Sequence, residues 1–306
     1  MKIVVLGAGA LGAYFGARWQ EAGHDVINLV REGRAEQLEK HGLQLHSEMG
    51  DFKTDAPVIA RSPEEIHEPD LVFLAVKGYH LHGTLDWLKA LVQKGAKVFP
   101  VLNGMEHISI LQKELGEEAV LGGLSYIIAT LDDAGHVIHT SEFHDLVFGP
   151  LHPSQQAVCE ELALACNQAN MTGTLSPNIL EDMWKKYMFI TSFSGITTAV
   201  NQPIGVVRSF PQTLRIAERM LSEMKELAGA HQINLTDEHV QNGFEKLRSL
   251  GEEMTSSMHQ DRRKGLPLEV EHLHGGALRL GSKVGLSLPY IETVYGMIKP
   301  YETFQQ

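Results

Sequence analysis

The sequence predicts an α/β domain built on a parallel sheet, followed by an all-α domain. A short apolar run at residues 2–6 leads straight into a glycine-rich turn, and an amphipathic helix and a second apolar run follow. Strand signals continue to about residue 176 and fade beyond it, where the pattern becomes helical. We therefore expect two domains, at residues 1–176 and 177–306, and a chain of 306 residues is long enough for two hydrophobic cores.

The glycine-rich turn has the spacing G-x-G-x-x-G. Its residues are Gly7, Ala8, Gly9, Ala10, Leu11 and Gly12. The first glycine permits a tight turn, the second lets the backbone approach a pyrophosphate, and the third lets the helix pack closely on the strand. Strand, turn, helix and strand within about thirty residues are the context of a Rossmann-type dinucleotide-binding site. A diphosphate would lie against the unpaired N–H groups at the start of the helix, and the alternative is a glycine turn that binds no nucleotide.

The end of the second predicted strand indicates which dinucleotide is bound. An NAD site usually carries Asp or Glu there to bond the ribose 2′-hydroxyl, but this chain has Arg31, with Arg34 three residues on. Arginine forks suit a 2′-phosphate, so we expect NADP(H) rather than NAD(H). Two alternatives stay open. In the first, Glu32 turns inward and binds the ribose. In the second, the arginines are solvated loop charges, an interpretation that fits Arg34 better than Arg31.

Composition and charge argue against several classes of protein. The formal net charge of −12 is unlike that of a general nucleic-acid-binding surface, and no apolar run of about 18 residues predicts a membrane span. The apolar start superficially resembles a signal peptide, but the glycine turn explains it better. Cys159 and Cys166 lie in a helical pattern with about 10 Å between their Cα atoms, too far for a disulfide. Free thiols suit a reducing cytoplasm, and we expect no metal site.

Polar residues follow two further buried strands of the first domain. Residues 70–76 form a predicted strand that Lys77 follows. Residues 96–102 form another, which Asn103 follows. Ligands of open α/β sheets bind beyond the carboxyl ends of the strands, so we expect both side chains near the cofactor or substrate. The alternatives are a solvated loop lysine and an asparagine that holds a turn with Gly104.

Turn and capping signals predict the remaining elements. Residues 119–149 are expected to extend the sheet with antiparallel strands, and the helix after them holds both cysteines. Residues 252–265 form a predicted polar loop. The helices of the second domain are expected from Asn178 to Val200, from Pro211 to about His231, from Thr236 to about Leu250, and from starts at Pro267 and Pro289. Substrate is expected in a cleft between the two domains.

Six segments carry a further signal through their order and spacing. They are the N-terminal glycine turn, AVKGYH around Lys77, LNGMEH around Asn103, MWKKY around Lys186, TSSMHQD around Ser257, and PLEVEHLHGG, which contains Glu269. Together they resemble the ketopantoate reductase (2-dehydropantoate 2-reductase) family over nearly the whole chain. The resemblance implies the fold predicted above and an NADPH-dependent reduction of a 2-oxo acid to a 2-hydroxy acid in pantothenate biosynthesis.

The resemblance also implies roles for individual residues. Lys186 is similar to the family's general-acid lysine, because it lies two residues after Trp184 in a W-x-K pattern. Lys185 is the competing candidate, and it would more naturally be a solvated helix charge. Glu269 resembles the family's substrate-binding carboxylate, and Ser257, twelve residues earlier, resembles the serine that binds the substrate carboxylate.

Two more positions match the family, and two depart from it. Lys77 and Asn103 match positions that line the cofactor and substrate. Four and eight residues after the lysine, where the best-known members have asparagines, this chain has Ile190 and Ser194. A less polar pocket discriminates less between substrates, so the resemblance implies the reaction type more firmly than ketopantoate itself. Ser194 still offers a hydroxyl to a substrate.

The expected partner is a small-molecule 2-oxo acid, with no nucleic acid and no membrane, and a homodimer is left open. Two rival functions remain. One is an NADP-dependent reductase or dehydrogenase of another 2-oxo or 2-hydroxy acid. The other is a Rossmann protein that senses NADP(H) without catalysis, and Lys186 and Glu269 at the family spacing count against it.

Overall fold

The computed structural model describes residues 1–303, which form two compact units. The first unit comprises Met1–Leu102 and His107–Ile179. The second comprises Asn103–Glu106 and the chain from Leu180 onward. The boundary expected after residue 176 stays a prediction, and no sequence signal indicated that a four-residue segment from the middle of the first unit belongs to the second.

The secondary structure alternates at first and is helical afterwards. The strands of the described chain are β1 (Lys2–Leu6), β2 (Asp25–Leu29), β3 (Leu43–Ser47), β4 (Phe52–Thr54), β5 (Ile59–Ala60), β6 (Leu71–Leu74), β7 (Lys97–Pro100), β8 (Gly122–Leu131), β9 (Val137–Gly149) and β10 (Thr172–Leu175). The α-helices are α1 (Ala10–Glu21), α2 (Glu32–His41), α3 (Leu85–Gln93), α4 (Glu106–Leu115), α5 (Gln156–Gln168), α6 (Ile179–Val200), α7 (Ile204–Ser209), α8 (Pro211–Ala230), α9 (Asp237–Ser249), α10 (Ser257–Arg263), α11 (Gly276–Lys283) and α12 (Pro289–Thr303). A π-helical segment, Glu271–Gly275, leads into α11. This order confirms the predicted fold class.

The first sheet is parallel, with the strand order β5-β2-β1-β6-β7. Its central strands are continuous apolar runs, and Ile3, Val4 and Val5 are fully buried. Such runs are required where both faces of a sheet are covered. The chain order reverses between β1 and β6, so the carboxyl ends of these two strands form the switch point at which open α/β sheets bind ligands.

The expectation that residues 119–149 extend this sheet is wrong. β8 and β9 instead form an antiparallel hairpin in a second five-stranded sheet, where β9 also pairs with β3 and β10. A single bridge, Val98 to Val120, joins β7 to the segment that precedes β8. The reason lies in the burial pattern, since buried and exposed residues largely alternate along β9, as they do in a sheet with one covered face.

α1 fills the space between the two sheets of the first unit. Every residue from Gly12 to Trp19 is buried. Trp19 packs edge-on against Phe73 of the first sheet, with ring centroids 5.1 Å apart, while Tyr14 lies 4.5 Å from His139 of the second. Burial on all sides favours small and aromatic residues in this stretch, and Arg18, its one charged residue, donates a hydrogen bond to the carbonyl of Gly50 (2.7 Å).

The second unit is helical, as predicted, but two of its boundaries differ from expectation. Residues 252–265 are not a loop, because α10 forms within them and the Ser256 hydroxyl accepts the His259 N–H at its start (3.1 Å). The helix expected at Pro267 begins three residues later, and the carbonyl of Glu269 accepts the N–H of Leu273 (2.9 Å). At the start of α10 the N–H groups are satisfied by the Ser256 hydroxyl, and at the later helix by the Glu269 carbonyl. Pro267 therefore does not determine where that later helix begins.

Within residues 1–303 no helix is long and apolar enough to cross a bilayer. The same residues contain no group of three or more His, Cys, Asp or Glu side chains arranged to hold a metal ion. Cys159 and Cys166 are both free and buried, and burial raises the pKa of their thiols to about 11 and 12. Neither thiol is therefore a reactive thiolate near neutral pH.

Two histidines of β9 are buried beside α1. The Tyr14 hydroxyl is hydrogen-bonded to Nδ1 of His144 (2.5 Å), and the Ser47 hydroxyl to Nδ1 of His139 (2.8 Å). The two imidazoles stack with centroids 5.9 Å apart. Burial lowers the pKa of both histidines, and each also meets the positive charge of Arg18. They are therefore held neutral in the folded state.

We expect these histidines to make the first unit acid-sensitive. Because their folded-state pKa lies below the unfolded value of about 6.5, their contribution to stability is complete above that pH and is lost as the pH falls through the folded-state pKa. His144→Gln should reduce the fall in thermal midpoint between pH 7.5 and pH 5, measured by calorimetry. His67→Gln, at an exposed histidine, is the control. An equal fall in all three proteins would contradict the prediction.

Candidate active site

The glycine turn joins β1 to α1 at the switch point of the first sheet. Gly7 has a φ of +100°, in the left-handed region that favours glycine, and a Cβ there would lie 2.8 Å from the carbonyl carbon of Ala75. A Cβ on Gly12 would overlap the carbonyl oxygen of Gly7. Gly9 is the N-cap of α1, and a Cβ there would meet nothing within 4 Å. Gly7 and Gly12 are therefore tightly packed against neighbouring backbone, whereas there is free space beside the Cα of Gly9.

The residues after β2 occupy three different environments. Arg31 is exposed at the N-cap of α2. Its guanidinium lies beside the loop that follows β6, within 3.3 Å of where a Cβ on Gly83 would be. Glu32 forms an ion pair with Arg61 (3.0 Å), so its carboxylate is directed to a neighbouring cation on the surface. Arg34 is not a solvated loop charge, because its Nε donates a hydrogen bond to the carbonyl of Ala8 (2.8 Å).

Lys77 and Asn103 both follow strands of the first sheet, three residues after the strand ends at Leu74 and Pro100. Lys77 is half-buried and precedes a short 3₁₀ turn. Asn103 belongs to the second unit, where its backbone is hydrogen-bonded to the imidazole of His272. The two residues therefore lie in different units, although the sequence analysis predicted both at the same edge of the sheet.

Lys186 lies on α6, and its half-buried side chain has an unusual charge environment. Loss of hydration lowers the pKa of Lys186 to about 8, and the negative charge of Glu269 opposes that shift. Lys185, its neighbour, forms an ion pair with Glu181 (2.5 Å), and this hydrogen bond raises the pKa of Lys185. The two lysines are thus distinguished by environment, since one is a dehydrated amine and the other an ordinary helix ion pair.

Glu269 is buried, with 8% of its surface exposed, and lies directly before the helical turn that becomes the π-helical segment. π-Helical turns inside helices are frequent at functional sites. His272, on the same segment, has its pKa lowered by burial, while the charge of Glu269 and the Asn103 backbone act to raise it. Charge interactions and one hydrogen bond therefore link Lys186, Glu269, His272 and Asn103 within the second unit.

Ser257 lies at the exposed first position of α10, whereas its neighbour Ser256 is buried. The Ser256 hydroxyl is hydrogen-bonded to the Thr197 hydroxyl of α6 (3.1 Å), which ties the start of α10 to the helix that carries Lys186. Ser194, two turns after that lysine, is buried, and Ile190 between them is half-buried. The face of α6 that follows Lys186 is accordingly poor in charged groups.

Sequence reasoning missed the ion-pair network beside these residues. Glu106 accepts hydrogen bonds from Nε and Nη2 of Arg279 (3.0 and 2.8 Å), and Arg279 also pairs with Glu271. Glu271 accepts further hydrogen bonds from Tyr295 and Lys299 (both 2.7 Å). Burial acts to raise the pKa of Glu271, but the hydrogen bonds from these partners lower that pKa to about 2. Both carboxylates fall inside segments quoted above, LNGMEH and PLEVEHLHGG, but nothing in the sequence identified Arg279 as their partner.

The parallel sheet, the glycine turn at its switch point and the helical unit that follows define a Rossmann-fold protein that binds a nicotinamide dinucleotide. The chain belongs to the ketopantoate reductase family. The family model described as "Ketopantoate reductase PanE/ApbA" matches residues 3–153, and the one described as "Ketopantoate reductase PanE/ApbA C terminal" matches residues 178–302. The family resemblance seen in the sequence is thereby confirmed, and with it the expectation of an oxidoreductase.

Individual relatives match over almost their entire lengths. The "Uncharacterized oxidoreductase YkpB" of Bacillus subtilis is 34% identical over 302 residues, covering 99% of both chains. The crystal structure of 2-dehydropantoate 2-reductase from Geobacter metallireducens aligns with a TM-score of 0.89 and 27% identity, covering 98% of this chain and 99% of that one. A ternary structure of D-mandelate dehydrogenase with NADH and anilino(oxo)acetate has the same fold, with a TM-score of 0.89, 22% identity, and coverage of 100% and 99%.

The link between Lys186 and Glu269 gives a prediction that does not depend on catalysis. Because the carboxylate of Glu269 favours the charged amine, Glu269→Gln should lower the pKa of Lys186 further below about 8. An NMR pH titration of reductively methylated lysines measures this directly. Glu181→Gln is the matched control, since it removes a carboxylate that pairs with Lys185. A pKa of Lys186 that stays unchanged or rises in Glu269→Gln would show that the two groups do not interact.

Proposed function

We propose that the protein reduces a 2-oxo acid to a 2-hydroxy acid with NADPH, most favourably 2-dehydropantoate to pantoate, and that Lys186 is the proton donor. One observation carries this proposal. Lys186 is a dehydrated amine whose pKa lies near 8, and it interacts with the buried carboxylate of Glu269 in a protein of the ketopantoate reductase family. A general acid works best when its pKa lies near the working pH.

The first unit fits a dinucleotide. The open position at Gly9, the close packing of Gly7 and Gly12, and the N-terminal N–H groups of α1 suit a diphosphate. Arg31 is exposed just after β2, and its guanidinium suits a 2′-phosphate. Glu32 instead forms an ion pair with Arg61. These features favour NADPH over NADH. We assign Gly7 to Gly12, Arg31 and Lys77 to cofactor binding, with Asn103 serving cofactor or substrate.

The chemistry divides between the cofactor and the chain. When bound, the reduced nicotinamide supplies the hydride that reduces the 2-oxo carbon. The ammonium of Lys186 stabilises the negative charge that develops on the carbonyl oxygen and donates a proton to it, leaving a neutral amine. Glu269 orients the substrate hydroxyl and Ser257 the substrate carboxylate. Loss of hydration around Lys186 strengthens its hold on an oxyanion, because there is less water to compete.

The α6 face beyond Lys186 bears on substrate choice. Ile190 cannot hydrogen-bond a substrate hydroxyl, which leaves Ser194 as the polar group two turns on. A site that leaves a substrate hydroxyl without partners discriminates weakly between that substrate and analogues lacking it. Another branched 2-oxo acid is therefore the main alternative substrate. An NADP(H) sensor is the other alternative, and it gives no reason for a dehydrated lysine beside a buried carboxylate.

Initial rates with a panel of 2-oxo acids, each with NADPH and with NADH, test the proposed function. We expect 2-dehydropantoate to be reduced, with NADPH preferred, and its kcat/KM to exceed that of other branched 2-oxo acids by much less than about 10⁴-fold, the level that polar recognition of a hydroxyl reaches. A preference of that size would show that other groups replace the missing amides. Tight NADPH binding without turnover of any 2-oxo acid would identify a sensor.

Lys186→Ala should lower kcat by about 10²–10⁴-fold, because the proton donor and the oxyanion partner are both lost. NADPH affinity should change little, since the residues assigned to the cofactor are intact. In the wild type kcat should fall as the pH rises above about 8, because deprotonated Lys186 has no proton to give. Lys185→Ala is the matched control on the adjacent position. Loss of turnover in Lys185→Ala with full turnover in Lys186→Ala would reverse the assignment.

A further inference from the structure

Arg34 is a partly buried cation of the first unit to which the proposed function gives no role. Its Nε donates a hydrogen bond to the carbonyl of Ala8 in the glycine turn (2.8 Å). Its Nη1 donates to the carbonyl of Gly135, in the turn between β8 and β9 (3.0 Å), and to the side chain of Gln37. The guanidinium is partly buried, and burial lowers its pKa. Arg34 thus spans two backbone turns instead of extending into solvent as a second arm for a 2′-phosphate.

The bond to Ala8 has a consequence for the next peptide group. The carbonyl of Ala8 and the N–H of Gly9 belong to one peptide plane, and in a trans peptide they point in opposite directions. Holding the carbonyl against Arg34 therefore directs the N–H of Gly9 away from Arg34. Gly9 has no side chain to resist rotation of this plane, and a Cβ there would meet nothing within 4 Å. The hydrogen bond from Arg34 to the carbonyl of Ala8 therefore restrains the orientation of the Ala8–Gly9 peptide plane.

The β8–β9 turn keeps Arg34 in place. Gly135 has a φ of +83°, and a Cβ on it would overlap Gln37 and Nη1 of Arg34. A Cβ at Gly135 would therefore force the ends of the Gln37 and Arg34 side chains to move. In this way the second sheet of the first unit contacts the glycine turn of the first sheet through one side chain.

We propose that Arg34 is a positioning residue that sets the Ala8–Gly9 peptide plane so that the Gly9 N–H faces the diphosphate of the cofactor. This inference rests on the proposed function, since it requires a dinucleotide at the glycine turn. It separates the two arginines of the loop, because Arg31 meets the 2′-phosphate, which only NADPH carries, whereas Arg34 acts on the diphosphate, which both cofactors share. Arg34 therefore governs affinity and Arg31 governs selectivity.

The test is a fluorescence titration of NADPH and of NADH with each variant. Arg34→Met, which keeps length but removes the donors, should weaken both cofactors by a similar factor of about ten and leave their affinity ratio unchanged. Arg31→Ala should weaken NADPH by about tenfold and leave NADH nearly unchanged, so that the ratio moves. At saturating NADPH, kcat of Arg34→Met should equal that of the wild type, a result that general damage to the fold would not give.

A second pair of variants displaces Arg34 without altering its charge. A Cβ at Gly135 would overlap Nη1 of Arg34, so Gly135→Ala is expected to shift the guanidinium from its position at Ala8 and to weaken both cofactors in parallel. Gly23→Ala is the control, because Gly23 has a similar φ of +87° but a Cβ there meets nothing within 4 Å. If Arg34→Met does not fold, the comparison of Gly135→Ala with Gly23→Ala tests the role of Arg34 by itself.

Four outcomes are distinguishable. Parallel losses in Arg34→Met and Gly135→Ala, with Gly23→Ala like the wild type, support the inference. A loss confined to NADPH in Arg34→Met would make Arg34 a 2′-phosphate ligand and overturn it. Wild-type affinities for both cofactors in Arg34→Met, or in Gly135→Ala, would also overturn it. A wild type that binds neither cofactor would remove the proposed function itself, and the inference with it.

Discussion

The close contact between Gly12 and Gly7 is the constraint on which the first unit depends. With no Cβ at Gly12, α1 begins against the carbonyl of Gly7, and Gly7 in turn lies against Ala75 beyond β6. A helix that enters at this depth is covered on all sides, by one sheet through Trp19 and by the other through Tyr14. The same backbone therefore forms the edge of the ligand site and the centre of the hydrophobic core, so a methyl group added at Gly12 would disturb both.

The second unit meets a different constraint, which is the interaction of the half-buried, dehydrated Lys186 with the buried carboxylate of Glu269. Removing water from Lys186 and Glu269 costs free energy that their mutual attraction only partly returns, and the lowered pKa of the lysine records the difference. A pair kept for stability alone would be better replaced by apolar side chains of similar volume. Glu269 lies directly before a π-helical segment, a feature that is frequent at functional sites.

Much of the fold could be read from the sequence, because its signals are local. The parallel strands are apolar runs, and α6 and α8 begin where Asn178 and Pro211 indicate. The second sheet could not be read, because it depends on β9 pairing with β3 and β10, strands distant in sequence. Arg34 shows the same limit at the scale of one side chain. Its spacing after Arg31 suggested a phosphate ligand or a free charge, and only tertiary structure brings Ala8 and Gly135 to it.

The four residues Asn103–Glu106 have a consequence for how the chain is made. Glu106 is synthesised 173 residues before Arg279, its bidentate partner, and at roughly 5–20 residues per second this interval lasts many seconds. The residues of β1 to β7 have all been synthesised by then, whereas those that supply Arg279 have not. The second unit therefore includes a segment that is synthesised long before the rest of it. A circular permutation that placed Arg279 before Glu106 in the chain would reverse that order of synthesis.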